Sequence, residues 1–530
     1  MISSKTRTIA SFLFSLVLLG GCGGYSSRYN GYKLAAIAPS QGGSAMNRAE
    51  SREEFAHRED NPFQDVKSAP LSTFSVDVDT ASYTLVRRML LQENRLPPPD
   101  AVRIEEMINY FQYGYSTPND SGVGVTIDST QAPWTSSHKI VRLAVKAKEL
   151  APSQVGPRNL VFLLDVSGSM MPPNRLPLVQ RAMRMLVDQL NEQDTVSIVT
   201  YAGSSGVALP PTSGDKKGEI RAAINELHAS GGTNGSAGIQ LAYQTARKSF
   251  KTGGVNRVIL ATDGDFNLGQ TSESDLLSLI ESERKSNVFL TVLGVGEGNL
   301  NDKRMEMLAD KGNGNYAYLD NIAEARKVLV QQAGGTLVTV AKDVKIQVEF
   351  NPEKVAQYRL IGYENRLLEA RDFKDDNKDA GDMGSGHEVT ALYEIVPKNQ
   401  TPLVATPGVD PLKYQTVSSS PAASSTNEWM TVKIRHKEPD GAQSQERVYT
   451  YSGIDKPQDP SLTLALAVAE LGMMLRKSPA RGEATYEQVL AQLDSLEKSR
   501  GIASGQIAEL RTLVEKARTL SGGNSVQKAQ

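Results

Sequence analysis

The sequence predicts an α/β protein in which a doubly wound, mostly parallel sheet is inserted in a β-sandwich-like module, with helical segments at both ends. Three observations support this fold class. Short apolar strands alternate with amphipathic helices from Asn159 to about Gly335, as in parallel sheets that helices cover on both faces. Runs of alternating polar and apolar residues flank this block on either side and favour antiparallel strands. The length of 530 residues also exceeds what one hydrophobic core supports.

Residues 1–21 are predicted to form a lipoprotein signal peptide. Lys5 and Arg7 precede an apolar run from Ile9 to Leu19, which is much shorter than the ~20 residues of a membrane-spanning helix. The run ends in Leu-Gly-Gly-Cys, which resembles the bacterial lipobox, so Cys22 is the expected lipidation site. An incidental cysteine in a signal sequence is the alternative. Cys22 is the only cysteine, which excludes a disulfide within the chain.

Residues 22–68 are polar, rich in Gly and Ser at first and charged later, and predict a flexible tether. By analogy with Gram-negative lipoproteins, Gly23 after the cysteine favours the outer membrane, with the protein facing the periplasm, over the inner membrane. We therefore expect a lipid-anchored protein of the bacterial cell envelope.

The 69–118 segment is predicted to be an N-terminal helical module. Asp79 or Thr80 is placed to cap a first helix, and Asp100 a second one. Next, 121–150 and 338–455 contribute two and five expected strands to one sandwich-like module.

The α/β block is expected to span 155–337, and a C-terminal helical segment 460–520. Apolar stripes at helical spacing support that segment, and we expect them to face a core. The expected strands of the block are 159–165, 195–201, 257–263, 288–295 and 315–319, and its expected helices are 175–190, 217–228, 236–250, 272–286, 302–311 and 322–333.

Oxygen-bearing side chains collect at the predicted strand ends of the α/β block. Asp165 ends its first strand, and Ser167 and Ser169 follow at alternate positions, which project to the same side of extended backbone. Asp263 ends another strand, and Thr233 lies in a glycine-rich loop before a helix. Ligands of doubly wound sheets bind beyond the carboxyl ends of the strands. Two carboxylates and three hydroxyls are hard oxygen donors that suit Mg²⁺.

These five residues resemble the metal-ion-dependent adhesion site (MIDAS) of the von Willebrand factor type A (VWA) domain. The D-x-S-x-S motif corresponds to Asp165, Ser167 and Ser169, the loop threonine to Thr233, and the T-D-G aspartate to Asp263. The flanking segments "FSVDVDTASYTLVRRML" and "YRLIGYENRLLEARDF" resemble those of the YfbK-like group of VWA lipoproteins.

The resemblance implies a Rossmann-like VWA domain with sheet order 3-2-1-4-5-6 and a short antiparallel edge strand at 207–212. It also implies that the hydroxyls bind Mg²⁺, or Mn²⁺ or Ca²⁺, directly, that the aspartates act directly or through water, and that an Asp or Glu of a partner protein fills the remaining position.

Other functions have weaker support. Asp165, Ser167 and Ser169 alone also fit a polar strand end, and a degenerate site could keep all five residues without binding an ion. A serine hydrolase needs a base, yet His228 is the one histidine of the α/β block and no G-x-S-x-G motif occurs. Asp77 and Asp79 resemble the start of haloacid-dehalogenase phosphatases, but Ala81 departs from that pattern.

Calcium loops and nucleotide sites are also disfavoured. The segment from Asp263 to Ser274 has Leu268 where an EF-hand needs glycine. No G-x-x-x-x-G-K-[ST] motif occurs, and "GVGEGN" at 294–299 ends in Asn299. A net charge of −2, from 58 basic and 60 acidic residues that are interleaved, argues against nucleic acid as a partner.

We therefore expect a binding module for another protein and not an enzyme. The alternative is a structural assembly factor of an envelope complex, in which the ion only joins the strand ends at Asp165 and Asp263. The sequence identifies neither the partner, the preferred ion, the oligomeric state nor the biological process.

Overall fold

The computed structural model describes most of the chain. The described ranges are 52–76, 79–118, 122–232, 235–264, 272–331, 338–403, 421–439, 441–453, 459–499 and 504–526. Cys22, with the predicted signal peptide, lies outside them. Among the described helices, none has the length and hydropathy of a membrane span.

A six-stranded sheet forms the centre of the α/β block, and five of its strands are parallel. In sheet order the strands are Ser205–Ser213, Thr195–Tyr201, Arg158–Asp165, Val255–Thr262, Phe289–Val295 and Tyr316–Leu319. This order is 3-2-1-4-5-6 in chain numbering, and the edge strand Ser205–Ser213 is antiparallel, so the predicted topology is confirmed.

Helices cover both faces of this sheet. They are Leu176–Val187, Lys217–Asn225, Gly235–Lys248, Glu273–Lys285, Asp302–Lys311 and Ile322–Arg326, and the last continues as a π-helical turn at Lys327–Gln331. Alternate residues of the central strand supply the two cores: Leu160, Phe162 and Leu164 pack on one side, and Val161 and Leu163 on the other. A strand that is apolar on both faces has to be buried on both faces. The sequence of Arg158–Asp165 therefore predicts its place at the centre of the sheet, between the two helical layers.

Two antiparallel sheets pack against each other around a shared core, in which Val141 and Leu143 meet Ile346 and Val348. The first sheet contains, in order, Gln64–Asp65, Val355–Ile361, Glu388–Pro397, Lys139–Ala147 and Val123–Gln131. The second contains Leu367–Leu368, Leu71–Ser75, Thr339–Phe350, Met430–Lys437 and Ser444–Tyr451, and Gly381–Gly384 also pairs with Thr339–Phe350. The second sheet thus combines a strand that precedes the α/β block in the sequence with strands that follow it.

Helices from the two ends of the described chain share a third core. They are Ala81–Leu91, Ile104–Asn109, Pro460–Arg476, Tyr486–Glu497 and Ser504–Val526. The stripes that the sequence assigned to a core, including Val489, Leu493 and Leu510, are buried in it. The remaining short elements are the helix Pro421–Ser425 and 3₁₀ turns at Pro99–Ala101, Pro152–Gln154, Gly168–Met170 and Ala370–Lys374.

Two predictions for the N-terminal region are wrong in part. The tether was expected to extend to residue 68, but Gln64–Asp65 pairs with Val355–Ile361 and Val66 is buried in the sandwich core. The helical module was expected to begin at residue 69, yet Leu71–Ser75 is a strand paired with Thr339–Phe350. Both segments pair with strands more than 250 residues away in the chain, which local composition cannot reveal.

The predicted helix caps are also corrected. Thr80 occupies the N-cap of Ala81–Leu91 but makes no side-chain cap hydrogen bond. Asp79 instead accepts a hydrogen bond from the backbone N–H of Tyr316 at 2.7 Å, since the helix docks on the α/β sheet. Asp100 contacts His57 Nδ1 at 2.8 Å, and Arg103 precedes the second helix.

Candidate metal-ion site

The central strand Arg158–Asp165 lies where the chain order of the sheet reverses. It is parallel to Thr195–Tyr201 on one side and to Val255–Thr262 on the other. Because Leu164 pairs with Ala261, the next residues, Asp165 and Thr262, also lie side by side. Asp263 follows Thr262 at the same carboxyl edge of the sheet. Doubly wound folds bind their ligands at this position.

Asp165 is fully buried and held by three donors. Its Oδ1 accepts the backbone N–H of Ser167 at 2.9 Å, and its Oδ2 accepts the hydroxyls of Tyr201 and Thr262, each at 3.2 Å. Burial raises the pKa of Asp165 above its usual value, hydrogen bonds from Ser167 oppose this shift, and the nearby Asp263 adds to it. The carboxylate is thus oriented, and its negative charge lacks a full counter-charge.

Ser167 and Ser169 turn toward each other just after the strand, and their Oγ atoms lie 3.0 Å apart. Ser167 is buried. The backbone N–H of Gly168 donates to Gly231 O at 3.0 Å, and that of Ser230 donates to Val166 O at 2.7 Å. These bonds hold residues 230–232 of the glycine-rich loop beside the strand end. Thr233, the predicted loop ligand, lies outside the described residues, so its place at the site stays a prediction.

Asp263 is buried and forms an ion pair with Nη1 of Arg175, a residue that the sequence analysis did not select. Arg175 also donates to Ser169 O at 2.8 Å and to Glu297 O at 2.6 Å. A sequence signal for it exists: Arg175 directly precedes the helix Leu176–Val187, whose N-terminus disfavours a cation. An arginine at such a position is expected to have a specific anionic partner.

The donor set fits a hard divalent cation. Asp165, Ser167, Ser169 and Asp263 offer oxygen atoms at one end of the sheet, as Mg²⁺ requires. The T-D-G aspartate and the D-x-S-x-S motif thus meet in space as the sequence predicts. His228, the base considered for a hydrolase, is exposed.

A second acidic group is buried where the helical module meets the α/β block. Oxygen atoms of Asp79, Glu106 and Glu306 lie within 4.8 Å of one another. Each has an arginine partner: Arg366 lies 3.3 Å from Asp79, Arg103 contacts Glu106, and Arg58 lies 2.6 Å from Glu306. This arrangement is an ion-pair network that joins modules, and its charges are already paired without a metal.

Three family models match consecutive parts of the chain. Residues 159–332 match the von Willebrand factor type A domain, residues 49–142 match von Willebrand factor, and residues 335–520 match "Uncharacterized protein YfbK, C-terminal". The second match covers the N-terminal helices and the strand Val123–Gln131, and it ends within the strand Lys139–Ala147.

The chain is similar to several individual proteins and solved structures. "Uncharacterized protein YfbK" of Escherichia coli (strain K12) is 42% identical over 439 residues, which are 81% of this chain and 75% of the relative. Inter-alpha-trypsin inhibitor heavy chain H4 of Homo sapiens is 26% identical over 148 residues, 26% of this chain and 16% of that protein. A solved von Willebrand factor type A structure from Catenulispora acidiphila has a TM-score of 0.40 at 16% identity and covers 76% of this chain and 98% of that one.

Proteins of this kind are generally interaction modules without catalytic activity, and VWA domains commonly bind a divalent metal ion. The VWA model coincides with the α/β block, and the YfbK relative spans all three structural parts. The chain therefore belongs to the YfbK-like family of proteins that contain a von Willebrand factor type A domain.

Proposed function

We propose that the VWA domain binds a divalent cation, Mg²⁺ or else Mn²⁺ or Ca²⁺, through Asp165, Ser167, Ser169, Thr233 and Asp263, and uses it to hold another protein. A carboxylate of the partner completes the coordination of the ion. The supporting observation is the meeting of the Asp165 and Asp263 strand ends with the paired serines, since all four side chains offer the oxygen atoms that a hard divalent ion prefers.

Buried carboxylates at the end of a sheet also serve as structural groups. In the structural alternative, the ion only joins the two strand ends, and the protein assembles an envelope complex through other surfaces. The ion pair between Arg175 and Asp263 favours neither role by itself, because it neutralises only one of the two carboxylates.

A thermal melt with and without Mg²⁺, followed by capture from envelope extract, separates these roles. Mg²⁺ binding to the folded state raises Tm by mass action. We expect Asp165→Ala to abolish both this rise and the Mg²⁺-dependent capture. Asp215→Ala is the matched control, because Asp215 is exposed and follows the antiparallel edge strand on the far side of the block.

The melt and capture results for Asp165→Ala distinguish the two roles. A lost Tm rise with intact capture favours the structural alternative. A Tm rise that persists in Asp165→Ala contradicts the proposed site itself.

The same proposal includes a lipid anchor at Cys22, which places the protein at the bacterial cell envelope, at the outer membrane and facing the periplasm. The supporting observation is the Leu-Gly-Gly-Cys sequence after a short apolar run. Cys22→Ser is expected to move the protein from the membrane fraction to the soluble fraction. Unchanged fractionation would refute the anchor.

A further inference from the structure

Arg175 is a fixed part of the candidate metal site. It is 9% exposed, and its guanidinium contacts three segments that are far apart in the chain. Nη1 donates to the carboxylate of Asp263 and, at 2.8 Å, to Ser169 O. Nη2 donates to Glu297 O at 2.6 Å. One guanidinium thus joins a predicted carboxylate ligand to the backbone of a predicted hydroxyl ligand.

Packing keeps the arginine in place. Gly296 has a φ of 74°, and a Cβ at this position would lie 2.3 Å from Arg175 Nε, so the side chain lies directly on the Gly296 backbone. The carbonyl of Gly296 is held in turn by Arg88 Nη1 at 3.2 Å and by the hydroxyl of Tyr318. Three acceptors and the Gly296 backbone beneath it therefore hold the Arg175 side chain in one position.

The charges around Arg175 decide what the site favours. Among the described residues, Asp165 and Asp263 contribute two negative charges to the site and Arg175 one positive charge, so a bound divalent ion leaves these residues with an excess of one positive charge. The side chain of Glu297 is exposed to solvent, and buried Glu53 is paired with Arg88 at 2.7 Å. These two carboxylates therefore do little to offset the excess, because one is screened by water and the other is neutralised.

An excess positive charge has two consequences. It repels the divalent ion, since like charges in a partly buried site interact strongly. It also favours an anionic sixth ligand over water, because the anion restores neutrality. Without Arg175, the two aspartates alone would balance the ion, and a neutral water molecule would complete its coordination at little electrostatic cost.

We propose that Arg175 determines the ligand specificity of this site: it weakens the binding of the divalent ion alone and makes the loaded site select a carboxylate. This inference rests on the proposed function, because it requires that the site binds a divalent ion. Arg175 acts through Asp263 and is a positioning residue, not a ligand.

The test titrates the full-length protein in detergent with Mn²⁺ and follows free Mn²⁺ by electron paramagnetic resonance. Each titration is repeated with sodium acetate as the carboxylate probe, against sodium chloride at equal ionic strength. In the wild type, acetate is expected to tighten Mn²⁺ binding, because the two ligands favour each other reciprocally. In Arg175→Gln, Mn²⁺ in chloride is expected to bind about tenfold tighter, and the effect of acetate is expected to shrink.

Two variants control for charge and for folding. Arg181→Gln removes an exposed positive charge from the same helix and should match the wild type. Arg175→Lys keeps the charge but cannot contact all three acceptors at once. It should retain the acetate effect, and it carries the test if Arg175→Gln does not fold.

The failures of the two proposals are distinguishable. If the wild type and Asp165→Ala bind Mn²⁺ equally, the proposed function fails and this inference falls with it. If Asp165→Ala loses Mn²⁺ while Arg175→Gln binds it no more tightly than the wild type, or keeps the full acetate effect, only the role of Arg175 is overturned. A Lys variant without the acetate effect would overturn it as well.

Discussion

Some ionisable side chains of this protein are buried in places that the local sequence does not explain. Glu470 lies in the apolar helix Pro460–Arg476 and is fully buried in the helical core. Its Oε2 accepts a hydrogen bond from Gln492 Nε2. Within the described part of the chain, Glu470 Oε1 and Gln492 Oε1 have no hydrogen-bond partner. A proton on Glu470 would remove a buried charge from this apolar core, so the neutral acid fits this site better than the carboxylate.

The pH dependence of stability follows from Glu470. Burial raises the pKa of its carboxyl to about 7 in the folded protein, from a usual value of 4.5. The folded state therefore holds the proton more tightly, and stability falls as the pH rises from about 4.5 to about 7. We expect Glu470→Gln to raise Tm at pH 8, because the free energy of unfolding should rise by up to about 3 kcal/mol. At pH 4.5 the substitution should have little effect on either quantity.

Thermal melts of both proteins at the two pH values check this prediction. Glu487→Gln, an exposed glutamate of the neighbouring helix Tyr486–Glu497, is the control and should change neither Tm. A Glu470→Gln variant that melts lower than the wild type at pH 8 would show that the charged form is the stable one.

Secondary-structure elements were predicted best where burial and periodicity agree. The five parallel strands are mainly apolar and buried, and their expected bounds lie within two residues of the observed ones. Leu71–Ser75 was missed, because five residues with one large apolar side chain in their interior resemble the start of the following helical region. Phe74 of this strand is fully buried and packs edge-to-face on Tyr363 at a centroid distance of 5.2 Å.

The importance of this missed strand can be measured. Phe74→Ala removes a buried ring from the sandwich core and is expected to destabilise the protein by about 3–5 kcal/mol. Leu71→Ala is a control within the same strand. Leu71 is 37% exposed, so this substitution should lower the free energy of unfolding much less. Denaturant unfolding followed by tryptophan fluorescence gives both values, and equal losses would contradict the assigned register.

At the scale of the whole molecule, buried ion pairs connect the modules. Arg87, on the N-terminal helix Ala81–Leu91, contacts Asp320 at 2.6 Å and Glu324 at 3.0 Å in the α/β block. It also contacts Glu509 of the last helix at 3.0 Å. Burial disfavours the charge on Arg87, but Asp320 and its neighbours more than compensate and raise the pKa of the guanidinium. One side chain thus joins three parts of the chain.

Loss of this connection is expected to be costly. Arg87→Met leaves Asp320 and Glu324 buried without their counter-ion, which should destabilise the protein by about 3–5 kcal/mol. Arg181→Met, at an exposed position, serves as the control. Thermal melting measures the difference, and a Tm equal to that of the wild type would mean that water solvates both carboxylates in the folded protein.

The sequence by itself determined the class of the fold and the identity of four meeting residues. Strand and helix periods are local, and the D-x-S-x-S pattern predicted that Ser167 and Ser169 lie near Asp165, although Ser169 lies in the 3₁₀ turn Gly168–Met170 and not on extended backbone. Asp263 could be added because parallel strands end at the same edge. That these residues and Thr233 hold a metal ion is still a prediction.

Only the tertiary structure decided which distant groups meet. Arg175 and Asp263 are 88 residues apart, and the place of Arg175 before a helix indicates an anionic partner without identifying Asp263 as that partner. The strand Leu71–Ser75 and the helical core built from both ends of the described chain depend equally on long-range pairing. Such contacts form because apolar packing and the pairing of buried charges stabilise the folded state, whatever the distance between the partners along the chain.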